Sequence, residues 1–344
     1  MSKKLRFVFA AVLLALLIYI VHPADLLAAL AEVELVYIYY LLLLAVALVW
    51  LSCLKWRLFI RASGHDAGIL RLMKLYTIGY FFNIFTPSYV GGDVARSYQL
   101  GKFLGNQKDA FVATFLERFT GLLAMVMLGV GSVALGSEVA AGVETAILLV
   151  GAVVFTAALM CFSEKFGNFC VGIGLRIMRA AGFGKLAAKL ETIWRKIVAA
   201  MAHARRDWML MIKAFVLSFA FHAAGVFNTW VACRAVGWES PDFGALFVVV
   251  PLVLLVGMVP ITPSGLGLQE GAFLFFLKRI GATDGQALGV GVLLRAKVMA
   301  VALFGGLLFA TLSEKSRSAD EDTDSLRVDK NGSGGSDQLE RAQA

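Results

Sequence analysis

The chain has 344 residues, of which 59% are hydrophobic and 16% charged, and a mean hydropathy of +0.78. That balance excludes an ordinary water-soluble domain and points to an all-α polytopic membrane protein. The net charge of +8 does not indicate nucleic acid, because the basic residues cluster between apolar spans as membrane orientation requires.

The N-terminus, MSKKLRFVFAAVLLALLIYIV, places Lys3, Lys4 and Arg6 around the start of an apolar stretch from Leu5 to Val21. The cleavage-like triplet Ala29-Leu30-Ala31 lies too far beyond that stretch for a signal peptide, so a retained first span is expected. Further spans are predicted at Val36 to Leu54, Phe111 to Leu135, Thr145 to Phe162, about Ala214 to Cys233, and Gly289 to Leu312. Most are long enough to cross a hydrocarbon core of about 30 Å, giving about six full transmembrane helices. Two more apolar stretches are interrupted. One, near Leu75 to Val90, runs into FTPSYVGGDVAR, and the other, Phe243 to Leu277, contains ITPSGLGLQEGAF.

Basic residues set the expected orientation. Lys55, Arg57, Arg61, Arg71 and Lys74 follow the second span, and a stretch from Lys165 to Lys213 carries eight more between its ends, from Arg176 to Arg206. Both should be cytoplasmic. The segments Asp25 to Glu34, Glu138 to Glu144 and Glu239 to Asp242 carry acids without Lys or Arg and should face outside, which puts both termini in the cytoplasm of a cell whose inner (plasma) membrane holds the chain. Within the connector at about 163–213, Leu186, Leu190, Ile193, Trp194, Ile197 and Met201 recur at helical spacing opposite Lys185, Lys189 and Lys196. That pattern suits an amphipathic helix, either on the inner leaflet or packed on the protein. After Leu312 the sequence turns polar, and 313–344 reads as a disordered cytoplasmic tail behind an integral membrane domain of 1–312. The four cysteines are scattered small hydrophobes, with neither a disulfide framework nor a metal site expected.

The two interruptions resemble each other. In FTPSYVGGDVAR (85–96) and ITPSGLGLQEGA (261–272), Thr86 aligns with Thr262, Pro87 with Pro263, Ser88 with Ser264 and Gly91 with Gly267, while Asp93 and Glu270 fall one position apart. The first follows a cytoplasmic loop and the second an outside loop, the pattern of an inverted repeat with motifs at 83–96 and 260–272. An interior proline costs about 3 kcal/mol in a helix, and non-helical backbone at membrane depth is tolerated only when buried in protein or facing a wet cavity. Pro87, Gly91, Gly92, Pro260, Pro263, Gly265, Gly267 and Gly271 are therefore expected to break the two segments beside something polar.

Charges fall inside other spans: Glu117 and Arg118 in FVATFLERFTGLLAM, and Arg295 and Lys297 in VGVLLRAKVMAVALF. Intramembrane ionisable groups face the bundle interior and pair with one another. Glu117 and Arg118 are expected to pair with Asp93, Arg96 and Glu270. Arg96, Arg118 and Arg295 would then offer forked contacts to a phosphate, making a phospholipid or polyprenyl-phosphate headgroup the natural guest. Lys297 is expected to snorkel.

On these residues the chain resembles the membrane region of the lysylphosphatidylglycerol synthase family, also called flippase-like or UPF0104. The resemblance covers most of residues 5 to 312 and rests on Asn83, Pro87, Gly91, Gly92, Asp93 and Arg96, on the ERF stretch at Glu117 and Arg118, and on PITPSGLGLQEGAF. It departs from the family pattern at Gln269, where an arginine is usual, and at Gly121, which holds the place of an acid. The resemblance implies a translocating half without an aminoacyltransferase domain. It makes lipid flipping the leading expectation, the substrate being an anionic or aminoacylated phospholipid or a polyprenyl-phosphate-linked lipid. The alternatives are a noncatalytic partner of a separately encoded transferase, or an enzyme modifying a lipid headgroup with Glu270 or Asp93 as base. No P-loop or HExxH is present, His22, His65, His203 and His222 are isolated, and no cofactor or metal is expected.

Overall fold

The computed structural model describes residues 33–84, 86, 90–259 and 264–332. Eleven α-helices follow in order: α1 (Leu35–Ala62), α2 (Ile69–Asn83), α3 (Val90–Leu104), α4 (Gln107–Ala134), α5 (Glu144–Phe162), α6 (Glu164–Ala180), α7 (Gly184–Arg206), α8 (Trp208–Ala235), α9 (Phe243–Gly257), α10 (Leu268–Lys278) and α11 (Asp284–Gly332). A short 3-10 turn, Glu138–Ala140, joins α4 to α5. Among the described residues, α1, α4, α5, α8 and the Asp284–Thr311 part of α11 are long and apolar enough to cross a membrane. They coincide with five of the predicted spans, and the chain is an integral multi-pass membrane protein. The predicted first span, Leu5 to Val21, lies outside the described residues.

Two boundaries differ from the sequence reading. Helix α1 continues to Ala62, so Lys55, Arg57 and Arg61 are helical where a loop is predicted. Nothing in WLSCLKWRLFIRA breaks a helix, and Gly64 supplies the turn at φ 82°. The other is α11, whose backbone stays helical through Gly332 where disorder is predicted from 313. Residues 313 to 330 contain neither Gly nor Pro, and extending an existing helix avoids the cost of nucleation. The connector forms two helices rather than one. Glu191 of α7 accepts from Arg179 of α6 at 2.6 Å and from Arg195 at 2.7 Å, and Trp194 Nε1 donates to Asn168 Oδ1 at 2.8 Å.

Helices α1 and α8 run against each other; α2 packs on α3 and α9 on α10, α3 meets α4 and α10 meets α11. Helix α11 also lies on α2, and α4 on α9. One apolar core gathers around α8, α9 and α10, with Val226, Leu246, Val249 and Leu277 at its centre; a second joins α1, α2 and α4 through Trp56, Ile60, Leu72 and Leu100 of α3.

Around the breaks the flanking helices pack together, and glycine sets how closely they approach. A Cβ on Gly92 would lie 2.1 Å from the Gly79 carbonyl oxygen and 2.5 Å from Asn83 Oδ1, both on α2. A Cβ on Gly305 of α11 would lie 2.1 Å from the Thr77 carbonyl oxygen of α2. Backbone cannot yield as a side-chain tip can, so Gly92→Ala should push α3 off α2. The expected cost is about 1 to 3 kcal/mol, read as a lowered melting temperature in detergent; an unchanged melting temperature would show that the two helices are not packed this tightly.

Candidate functional site

The first polar cluster lies between α1, α3, α4 and α8. Asn83, the last residue of α2, accepts the Gly92 N–H at 2.7 Å and so caps the start of α3, whose first turns carry Asp93 and Arg96. Spaced three apart, these two share a helix face, and Arg96 Nε donates to Asp93 Oδ1 at 3.0 Å. Arg96 Nη2 reaches Glu117 Oε2 of α4 at 2.6 Å. Arg118 Nε meets the other side of Asp93 at 2.9 Å. Lys55 of α1 stands 3.6 Å from Glu117 Oε1 and donates to Ser218 Oγ of α8 at 3.1 Å. The Arg96 guanidinium carbon also lies 4.3 Å from the Tyr76 ring centroid and 4.7 Å from that of Trp56.

Burial grades along this seam. The Arg118 side chain is 40% exposed and that of Asp93 21%, whereas Arg96, Glu117 and Lys55 are buried. Among the described residues the charges do not cancel: Lys55, Arg96 and Arg118 pair with Asp93 and Glu117. Among the described residues, two buried N–H donors, Arg96 Nη1 and Trp56 Nε1, find no partner, and neither does His222 Nδ1. His222 Nε2 lies 3.1 Å from the Gly121 carbonyl oxygen, so the tautomer with a proton on Nε2 leaves Nδ1 as a bare acceptor. Surplus positive charge with unspent donors is the chemistry of an anion receptor, and guanidinium suits a phosphate.

The second cluster is built on the same spacing but is closed. Arg118 sits 25 residues after Asp93, and Arg295 25 residues after Glu270. Arg295 Nε donates to Glu270 Oε1 at 2.6 Å, Nη1 to the Ser264 carbonyl at 2.9 Å, and Nη2 to the Gly265 carbonyl and to Gln269 Oε1, each at 3.2 Å. The other Glu270 oxygen takes the Gly267 N–H at 2.8 Å. Ser264, Gly265 and Gly267 have φ of 51°, 68° and 78°, a left-handed path that explains both glycines. Arg295 thus binds the break's own carbonyls. The two breaks touch: the Ser264 N–H donates to the Thr86 carbonyl at 3.2 Å, and Ile84, Leu266, Met299 and Ala302 pack around the junction.

The structure pairs Asp93 and Arg96 with Glu117 and Arg118, as the sequence reading expects, while Asn83 bonds the Gly92 N–H. Glu270 does not join them, because Arg295 and the Gly267 N–H occupy its oxygens. Arg295, expected at a phosphate, instead serves the break. Gly91, Gly92 and Gly271, read as break residues, lie inside helices α3 and α10. Pro87, Pro260 and Pro263 lie outside the described residues. Lys297, expected to snorkel, donates to Asn228 Oδ1 of α8 at 2.6 Å. The sequence reading placed Lys55 in a loop and so missed it, although Ser52, Cys53, Trp56 and Phe59 at helical spacing around it signalled a buried face. Trp56, Tyr76, Ser218 and His222 were also missed; their helices are mostly apolar, and nothing in the local sequence marks these positions as facing the cluster.

Fold and site define a helical membrane protein in which two interrupted segments meet and a largely buried cluster carries more cations than acids. Residues 4–306 match the family described as the lysylphosphatidylglycerol synthase TM region, and the chain belongs to that family. Two proteins of Methanothermobacter thermautotrophicus, each described as a UPF0104 membrane protein, are similar to it. One is 23% identical over 80% of this chain and 85% of its own length, the other 24% identical over 81% and 84%. No solved structure matches.

Proposed function

We propose that the chain carries the headgroup of an anionic lipid across the membrane, with the acyl chains left in lipid. The observation that carries this reading is the cation surplus in the first cluster, running from exposed Arg118 to buried Arg96 and Lys55 with unspent donors at its inner end. A buried charge excess is costly in a membrane unless a guest balances it, and a lipid phosphate brings the needed charge. The family fits membrane lipid chemistry. The recurring order of helix contacts supports an inverted repeat with alternating access around the junction, and the basic residues of the loops support an inner membrane with both termini cytoplasmic.

The test is reconstitution into vesicles holding fluorescent phosphatidylglycerol, with leaflet exposure read by quenching from outside. Wild type should equalise the label, and Arg118→Ala should slow it by about tenfold, the worth of one charge-assisted contact. Arg118 is partly exposed, so this variant should fold. If neither phosphatidylglycerol nor a labelled polyprenyl phosphate moves while a control transporter works, the proposal fails. A stoichiometric copurifying transferase would then favour the noncatalytic-partner reading, for which the closed second cluster already gives a structural rationale.

A further inference from the structure

Between the spans α5 and α8 the chain makes a detour through α6 and α7, neither of which is apolar enough to cross a membrane. Span α5 ends at Phe162 and α6 starts at Glu164; α7 ends at Arg206 and span α8 starts at Trp208, which is 70% exposed. Both ends of the pair thus lie at the ends of spans, and an exposed tryptophan at such a place suits the membrane interface. The two helices hold each other largely by polar contacts. Glu191 takes Arg179 and Arg195, Trp194 donates to Asn168, and a Cβ on Gly167 would meet the Trp194 ring at 2.5 Å. That packing buries Leu175 and Ala187 but leaves larger apolar side chains uncovered. Phe169, Ile173 and Ile177 recur every four residues along α6, and Leu186, Leu190 and Ile193 at four and three along α7; all six are exposed, Phe169 at 66% and Ile177 at 65%. Basic residues edge both faces: Lys165 four before Phe169 and Arg176 three after Ile173, Lys185 and Lys189 leading up to Ile193. From Glu164 to Arg206 there are nine Lys and Arg against two Glu. Glu191 is already shared by two arginines, and Lys165, Arg176, Lys185 and Lys189 are exposed with no acid partner among the described residues.

We infer that α6 and α7 form a docking surface for the anionic lipid leaflet beside α5 and α8, with the apolar side chains entering the boundary of headgroups and acyl chains and the basic edges taking lipid phosphates. Sequence alone leaves α7 either on the leaflet or packed on the protein, and gives α6 no part in it. Two observations favour the leaflet. The exposed apolar faces belong to helices tethered at both ends to spans, so a bilayer surface lies within reach without any further partner. The charge left over after Glu191 is shared is positive, which complements an anionic leaflet and repels a second copy of the same surface. This surface is separate from the first cluster and does not depend on what that cluster carries.

The test places a thiol-reactive fluorophore on full-length protein at Phe169→Cys, Ile177→Cys, Leu190→Cys or Ala188→Cys, each in a Cys170→Ala background because the other three cysteines are buried. Ala188 is exposed and two residues from Leu190, so it reports the other side of α7. Each protein is placed in lipid nanodiscs of phosphatidylcholine, with or without phosphatidylglycerol, and quenched either by iodide from water or by a nitroxide lipid from the bilayer. With phosphatidylglycerol present, the labels at 169, 177 and 190 should be quenched by the nitroxide lipid and shielded from iodide, and the label at 188 should behave in the opposite way. Lys185→Gln with Lys189→Gln should lower the docked-to-free ratio read at 190 by about fivefold for each charge removed. Iodide reaching all three apolar-face labels in phosphatidylglycerol would overturn the inference and leave the face to a soluble partner. Shielding from both quenchers would overturn it in favour of a second copy, and nitroxide quenching that is the same with and without phosphatidylglycerol would remove the role of charge.

Discussion

Glu117→Leu is expected to be the most damaging single substitution in the described chain, lowering stability by about 3 to 5 kcal/mol. Glu117 is buried and answers both Arg96 and Lys55; without it three cations share Asp93 alone. The cost is the burial of unmatched charge rather than the loss of favourable pairs. Removing Arg96 as well should therefore recover much of it. Glu117→Leu combined with Arg96→Met replaces an ion pair by apolar side chains of similar size, a change that is often neutral in buried sites. Asp93→Asn should cost less than Glu117→Leu, because Asp93 is partly exposed and water can reach Arg118. Melting temperatures in detergent of the two single variants and the double give the coupling directly. A Glu117→Leu protein within 1 kcal/mol of wild type, on that roughly 3 to 5 kcal/mol scale, would mean that the cluster is hydrated or that Lys55 is uncharged.

How much of this was legible in the sequence depended on the range of the signal. Five spans were readable because each is a continuous apolar run, and the two breaks because TPS and glycine recur beside acids. The pairing of Arg96 with Glu117 followed from the rule that intramembrane charges seek one another. What failed was partner choice. Glu270 was assigned to the first cluster, yet Arg295 lies 25 residues further along its own half and takes it first, as Arg118 takes Asp93. That shared interval is visible in the sequence as DVAR…ER and QEGA…RAK. Lys55 was lost for another reason: the positive-inside rule counts lysines near span ends without asking which helix face they occupy. Its burial depends on α1 running against α8, a contact between residues 163 apart.

Arg295→Lys keeps the charge, so its effect isolates geometry, and the expected loss is still about 3 kcal/mol. The guanidinium bridges Glu270, Gln269 and the carbonyls of Ser264 and Gly265 at once, and a lysine ammonium on a flexible stem cannot span them. Arg295→Met should be worse, since it leaves Glu270 Oε1 and two break carbonyls without donors. Glu270→Gln should be mildest: its carbonyl oxygen can still accept from Arg295 or from the Gly267 N–H. Hydrogen exchange should place the damage, with amides from Ser264 to Gly271 losing protection in Arg295→Lys while α5 and α6 stay unchanged. Because the Ser264 N–H donates to the Thr86 carbonyl, loosening should also reach the first break. That spread matters for mechanism. If both breaks loosen together, the closed second cluster acts as the fixed hinge against which the open, cation-rich first cluster is held. If exchange changes only at 264–271, the two breaks are energetically separate and their contact is packing alone.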